Sequence, residues 1–196
     1  MKKSNIEKYF TQKNWTLLEI LCIIIGTAAL IVGTFVWGGG PIGLPLFAFS
    51  LLILICVRSS KIKGSYIDRE LQKLIDENEI ISHGKNVIKS FDLKKGKVIR
   101  EKGKCRSNIY VVSVFDFQGE TVNISVYRID LLSQSIKKEF YTVECEERVI
   151  LREESVSISG VSKNVNYLVC DEFSSDIPVQ TNDINASEII QKICKT

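Results

Sequence analysis

The sequence predicts a membrane α-helical hairpin of two transmembrane helices, followed by a cytoplasmic, mainly-β domain that ends in a short closing helix. Three observations predict it. Residues Trp15 to Trp37 are 23 in a row with one charged group, Glu19, and Pro41 to Val57 are 17 with none. Basic residues flank both runs. Beyond residue 85 the pattern changes to short β-branched and aromatic runs separated by turn residues. The expected organisation is a basic cytoplasmic N-terminus over 1–14, the hairpin over 15–57, a juxtamembrane basic segment with an amphipathic helix over 58–84, and the β-rich domain with its C-terminal helix over 85–196.

At about 1.5 Å per residue the first run reaches roughly 34 Å and the second about 25 Å, against a hydrocarbon core of about 30 Å. The first spans unaided; the second needs Gly39, Gly40 or local thinning of the bilayer. A cleaved signal peptide also has leading lysines, here Lys2 and Lys3, but its apolar region is only about 7 to 15 residues long. A second apolar segment also follows at once. The intervening Trp37 to Pro45 is uncharged and has room only for a turn, with Trp37 suited to the headgroup boundary. Lys2, Lys3, Lys8 and Lys13 precede the hairpin, and Arg58, Lys61 and Lys63 follow it. The positive-inside rule therefore puts both termini and the soluble domain in the cytoplasm, on a multi-pass chain in the inner or plasma membrane. Six cysteines without a C-x-x-C pair, two of them in the apolar runs, fit a reduced compartment. There the Asn123-Ile124-Ser125 sequon stays idle.

After the hairpin, Ile67, Leu71, Leu74 and Ile75 recur at helical spacing, predicting an amphipathic helix from Tyr66 to about Asn78. Strands are expected over 87–93, 97–100, 109–117, 121–129, 139–145, 149–152, 155–159 and 165–170. So many short strands in about 85 residues suggest a small β-barrel or a pleckstrin-homology-like (PH-like) sandwich. Gln118-Gly119-Glu120 reads as a hairpin loop. The strand before it, apolar on both faces through Val111, Val112, Val114 and Phe115, should be central, and the strand after it alternates Val122, Ile124 and Val126 with polar residues. Asn185-Ala186-Ser187-Glu188 reads as a capping box opening the last helix, with Ile189, Ile190 and Ile193 on one side.

The chain does not read as an enzyme. Its one histidine, His83, has no partner motif, and there is no P-loop, G-x-S-x-G, H-E-x-x-H or paired-cysteine spacing, so no catalytic residue, metal or cofactor is assigned. Charge is more informative. Residues 85–106 hold nine basic residues against Asp92 and Glu101, a net of +7, whereas 107–196 carry a net of −6. Three roles fit the basic segment: a solvated hairpin protected from edge pairing by lysines, a surface for anionic headgroups, or a pocket for a phosphorylated ligand. An extended nucleic acid is disfavoured by the acidic remainder and the membrane tether. In the first helix, Glu19, Cys22, Gly26, Ala29 and Gly33 share one face after Trp15, a pattern of close packing in lipid. Two partners fit that face, the second helix or another protomer. Glu19 either snorkels to the interface or lines an oligomeric seam or pore.

The uncharged hairpin from Trp15 to Val57, the β run from Val87 to Cys170 and a length near 200 together resemble the two-transmembrane, β-strand-rich effectors of bacterial cyclic-oligonucleotide antiphage defence (CBASS). The resemblance is architectural and rests on no diagnostic motif. A Gly-x-Trp start to the barrel is absent, and both tryptophans lie in the membrane region. The resemblance implies a small barrel that binds a cyclic oligonucleotide, with Lys94, Lys95, Lys97, Arg100, Lys104 and Arg106 contributing the phosphate-facing surface. It further implies a homo-oligomer assembled through the hairpin within the lipid bilayer, and disruption of the inner membrane. The competing classes are a membrane-anchored PH-like interaction or scaffold module and an accessory subunit of a membrane complex.

Overall fold

The computed structural model describes residues 2–12, 16–35, 43–81, 84–101, 103–144, 149–158, 160–179 and 184–193. The expected turn with Trp37, together with Trp15, His83, Cys145 and Cys194, lies outside the described residues. The chain divides into two compact units, Met1–Phe10 with Gly64–Thr196, and Thr11–Lys63.

Thr11–Lys63 holds two apolar helices, α2 (Leu17–Phe35) and α3 (Gly43–Ser59). The helical stretch from Leu44 is long and apolar enough to cross a membrane, and almost none of its apolar window is buried; Leu17–Gly33 is a shorter apolar helix. Thr16 and Glu19 form a capping box at the start of α2, with the Thr16 N–H donating to Glu19 Oε2 at 2.6 Å and the Glu19 N–H to Thr16 Oγ1 at 3.3 Å. Gly26 sits where a Cβ would meet Ser50 Cβ at 3.3 Å and Phe47 at 3.5 Å, so the small-residue face of α2 packs on α3. At the open end of the pair, Gln12 Nε2 donates to the Ile62 carbonyl at 2.9 Å and the Ile62 N–H returns to Gln12 Oε1 at 3.2 Å. This pair of hydrogen bonds closes the base of the compact unit Thr11–Lys63.

The other unit begins with α1 (Lys2–Thr11), where the sequence suggested only a basic tail. Ile6, Tyr9 and Phe10 fall at helical spacing and are buried. The amphipathic helix α4 (Gly64–Glu77) buries Ile67, Leu71 and Ile75 as expected. Nine strands follow among the described residues: β1 (Val87–Phe91), β2 (Val98–Glu101), β3 (Lys104–Ser107), β4 (Ile109–Gln118), β5 (Thr121–Asp130), β6 (Ser135–Glu144), β7 (Ile150–Ile158), β8 (Val161–Val169) and β9 (Ile177–Val179), before α5 (Ile184–Ile193). They form three open antiparallel sheets, ordered β1-β4-β5-β6, β2-β3 and β7-β8-β9. The unit is thus mainly β with a closing helix, while the closed barrel held as one alternative does not form among the described strands.

Register explains the core. Ser113, Phe115 and Phe117 stand opposite Val126, Ile124 and Val122, and those face Glu139, Tyr141 and Val143, so one face of the large sheet carries an apolar patch bounded at one end by the buried polar pair Ser113 and Glu139. It packs with Leu168, Cys170, Ile177 and Val179 from the β7-β8-β9 sheet and with Ala186, Ile189 and Ile193 of α5. As expected, β4 is internal and buried on both faces, and the β4–β5 turn is tight, with Gly119 at φ 65°. Three expectations shift. The two short strands at 149–152 and 155–159 are one edge strand, β7, on which Arg152 and Glu153 are both exposed, one on each face. β3 and β9 were not foreseen, and Pro178 is tolerated because β9 is an edge. Finally, α5 already begins at Ile184, so Asn185 lies in its first turn rather than before it.

Candidate functional site

Each end of the β2–β3 hairpin is fixed by a polar side chain. At its base, buried Asn108 accepts the Lys97 N–H at 2.6 Å and donates to Asp130 at 2.7 Å. Gly96, at φ 83°, packs so tightly on the Asn108 amide that no Cβ fits. Buried Asp92 turns the chain into this region by accepting the Lys94 and Lys95 N–H groups, each at 3.2 Å. At the hairpin's other end, Glu101 Oε2 accepts the Gly64 N–H at 2.8 Å and the Tyr9 hydroxyl at 3.1 Å. That carboxylate caps the N-terminus of α4 and ties down α1. Burial and then the Glu101 charge push the Tyr9 hydroxyl up to about 12, so it remains a donor across the physiological range.

Beside this hairpin lies a cleft of about 660 Å³ between β1, β3, β8 and β9, within the range typical of small-ligand sites. Phe91, Leu93, Val165 and Val179 supply apolar wall; Lys104, Arg106 and Lys163 bring positive charge; Asn164 and Asn166 bring amides; Asp68 brings the one carboxylate among the lining residues. Three cations against one carboxylate make the cleft electropositive. Cations with apolar wall and amides suit an anion attached to a planar or apolar body.

The six basic residues singled out from sequence therefore divide. Lys104 and Arg106 line the cleft. Lys94 turns instead to Glu154 at 2.9 Å and Asp176 at 3.8 Å. Lys95 and Lys97 are exposed on the loop into β2, and Arg100 lies on β2 outside the cleft lining. Of the six, then, Lys104 and Arg106 on β3 line the cleft, while Lys94, Lys95 and Lys97 precede β2 and Arg100 lies on it. Lys163 was missed. It lies within the net-acidic part of the chain and reaches the cleft only because β8 packs beside the hairpin. Its signal was the alternation Lys163-Asn164-Val165-Asn166-Tyr167.

A second polar cluster faces the core. Arg128 donates to Glu139 at 3.1 Å and to the Ser175 and Asp176 carbonyls at 2.8 and 3.0 Å, with Asp92 at 3.8 Å. It fastens the β8–β9 connection to β5, which makes it architectural.

In the helical pair, Glu19 is fully buried, 2.8 Å from Lys61 and 3.4 Å from Arg58. These cations at the end of α3 and beyond satisfy it within the chain. Cys22, Gly26 and Gly33 are buried on the same face and Ala29 is partly so, with Gly26 against Ser50 and Phe47 of α3. Cys22, Cys56, Cys105 and Cys170 are all unpaired. Comparison with protein-family profiles, with curated proteins and with solved structures finds no match to this chain.

Proposed function

We propose that this chain is a membrane-anchored, non-enzymatic effector whose cytoplasmic β-rich unit senses an anionic second messenger of the cyclic-nucleotide class. Ligand binding drives the two-span hairpin to assemble and disrupt the inner membrane in antiphage defence. The observation that carries this reading is the electropositive cleft of about 660 Å³ lined by Lys104, Arg106 and Lys163. The two-span topology with both termini cytoplasmic is supported by α1 and the β-rich region belonging to one compact unit, to which both ends of Thr11–Lys63 are joined. A chain that leaves one unit and returns to it crosses a bilayer an even number of times.

The test is titration of the full chain in nanodiscs with a panel of cyclic di- and trinucleotides by calorimetry. One member should bind, with affinity falling as salt rises, and Lys104→Glu and Lys163→Glu should each weaken it about tenfold or more, as expected for loss of a charge-assisted contact. Liposomes carrying the protein should lose their membrane potential only with that ligand. Absence of binding across the panel refutes the reading. The packed open sheets with a closing helix favour a second reading, a PH-like interaction module on a membrane anchor. It predicts an unchanged membrane potential and co-purification of a partner protein.

A further inference from the structure

Arg106 belongs to two structures at once. It lines the cleft, and its guanidinium is already held by two carboxylates: Nε and Nη2 donate to Asp68 at 3.0 and 2.8 Å, and Nη1 stands 3.7 Å from Glu101 Oε2. Asp68 lies on α4, one turn from its start. Glu101 Oε2 is the same atom that holds the Gly64 N–H and the Tyr9 hydroxyl. Gly64 directly follows Lys63, the last residue of the helical pair, and Tyr9 lies two residues before Thr11, its first. A single guanidinium with its two carboxylates therefore fastens both segments through which the chain enters and leaves the helical pair. The packing leaves no slack, since a Cβ on Gly64 would lie 2.5 Å from Arg106 Nη1 and 2.6 Å from Glu101 Oε2.

The carboxylate of Asp68 lines the same cleft that offers Lys104 and Lys163 to an anion. A phosphate entering there meets a like charge and competes with it for one bidentate partner. We infer that Arg106, Asp68 and Glu101 form a latch: an anionic group in the cleft takes the guanidinium from both carboxylates, which releases α4 at Asp68 and strips the cation from the Glu101 carboxylate that holds Tyr9 of α1 and the Gly64 N–H. This rests on the cleft being an anion site, and it gives that site a route to the helical pair. Coupling of this kind is reciprocal, so whatever opens the latch must also tighten anion binding.

The probe is inorganic pyrophosphate, added to the full chain in nanodiscs, with binding followed by calorimetry and amide hydrogen exchange followed over residues 2–11 and 64–77. Pyrophosphate should bind and speed exchange in both segments about tenfold, the effect of losing one charge-assisted pair. Asp68→Asn, at a half-exposed position where the fold tolerates the change, should show fast exchange without pyrophosphate and bind it about tenfold more tightly. Glu101→Gln should loosen both segments while leaving Lys104 and Lys163 in place. Binding without any change in exchange overturns the latch and leaves the anion site standing. Weaker binding by Asp68→Asn overturns it as well. If pyrophosphate does not bind the wild-type chain at all, the cleft reading falls and the latch falls with it.

Discussion

Glu139 offers a stability test whose size can be worked from the structure. It is 9% exposed on β6 and is surrounded by donors: Lys137 at 2.7 Å, Tyr141 at 2.9 Å, Ser174 at 3.0 Å and Arg128 at 3.1 Å. Burial alone raises its carboxyl; Lys137, Tyr141, Arg128 and Ser174 outweigh that and hold it down at about 2, from an ordinary 4.5. At about 1.4 kcal/mol per tenfold, the ionised group stabilises the fold by roughly 3 kcal/mol at neutral pH. Because the folded value is the lower one, that contribution is complete above the unfolded value near 4.5 and is lost as pH falls toward about 2. Glu139→Gln removes the ionisation and keeps the shape. Urea unfolding of the full chain in detergent micelles, followed by far-ultraviolet circular dichroism, should show the variant weaker by roughly 3 kcal/mol at about pH 7, and the gap reduced by roughly 2 kcal/mol at about pH 3. A gap of equal size at both pH values would refute the linkage, since a purely steric effect does not titrate.

Two further substitutions test the packing. Gly26→Leu places side-chain atoms where Ser50 and Phe47 already stand, and should destabilise the helical pair by about 1–3 kcal/mol, read as an earlier transition on titrating mixed micelles with dodecyl sulfate; an unmoved transition means that α2 and α3 meet elsewhere. Gly96→Ala combines an unfavourable φ of 83° with a collision against the Asn108 amide, and should cost about 2–4 kcal/mol with early loss of exchange protection at Lys97 and Leu131, whose N–H groups depend on Asn108.

What was legible in the sequence was whatever repeats along one element. The spacing of Ile67, Leu71 and Ile75 gave α4, and the alternation of Val122, Ile124 and Val126 gave the inner face of β5. The same periodicity was present in Ile6, Tyr9 and Phe10, but four lysines in the first 13 residues masked it as a tail. Thr16-x-x-Glu19 carries a capping-box signature, which lies inside an apolar run where Glu19 also reads as an isolated charge. β3, the run Lys104-Cys105-Arg106-Ser107, has no β-branched residue and pairs only because Asn108 and Gly96 set the hairpin's base. For Lys163 the alternation around it marks a strand, but its place at the cleft, like that of Asp68, depends on long-range packing of β8 and α4 that no local pattern encodes.

The helical pair constrains how assembly can work in the proposed bilayer. Its small-residue face is occupied by Ser50 and Phe47, and its one carboxylate is matched by Lys61 and Arg58. The faces left outward carry Leu17, Ile24, Ile31, Phe49, Leu52 and Ile55, all apolar and exposed. Lipid tails solvate such surfaces as well as another helix does, so they supply little drive for association. For a hairpin satisfied internally, the proposed assembly must draw its free energy from the β-rich unit. Arg106, Asp68 and Glu101 link a ligand-sized cleft to both chain entries, so the proposed control of assembly turns on which carboxylate or phosphate holds one guanidinium.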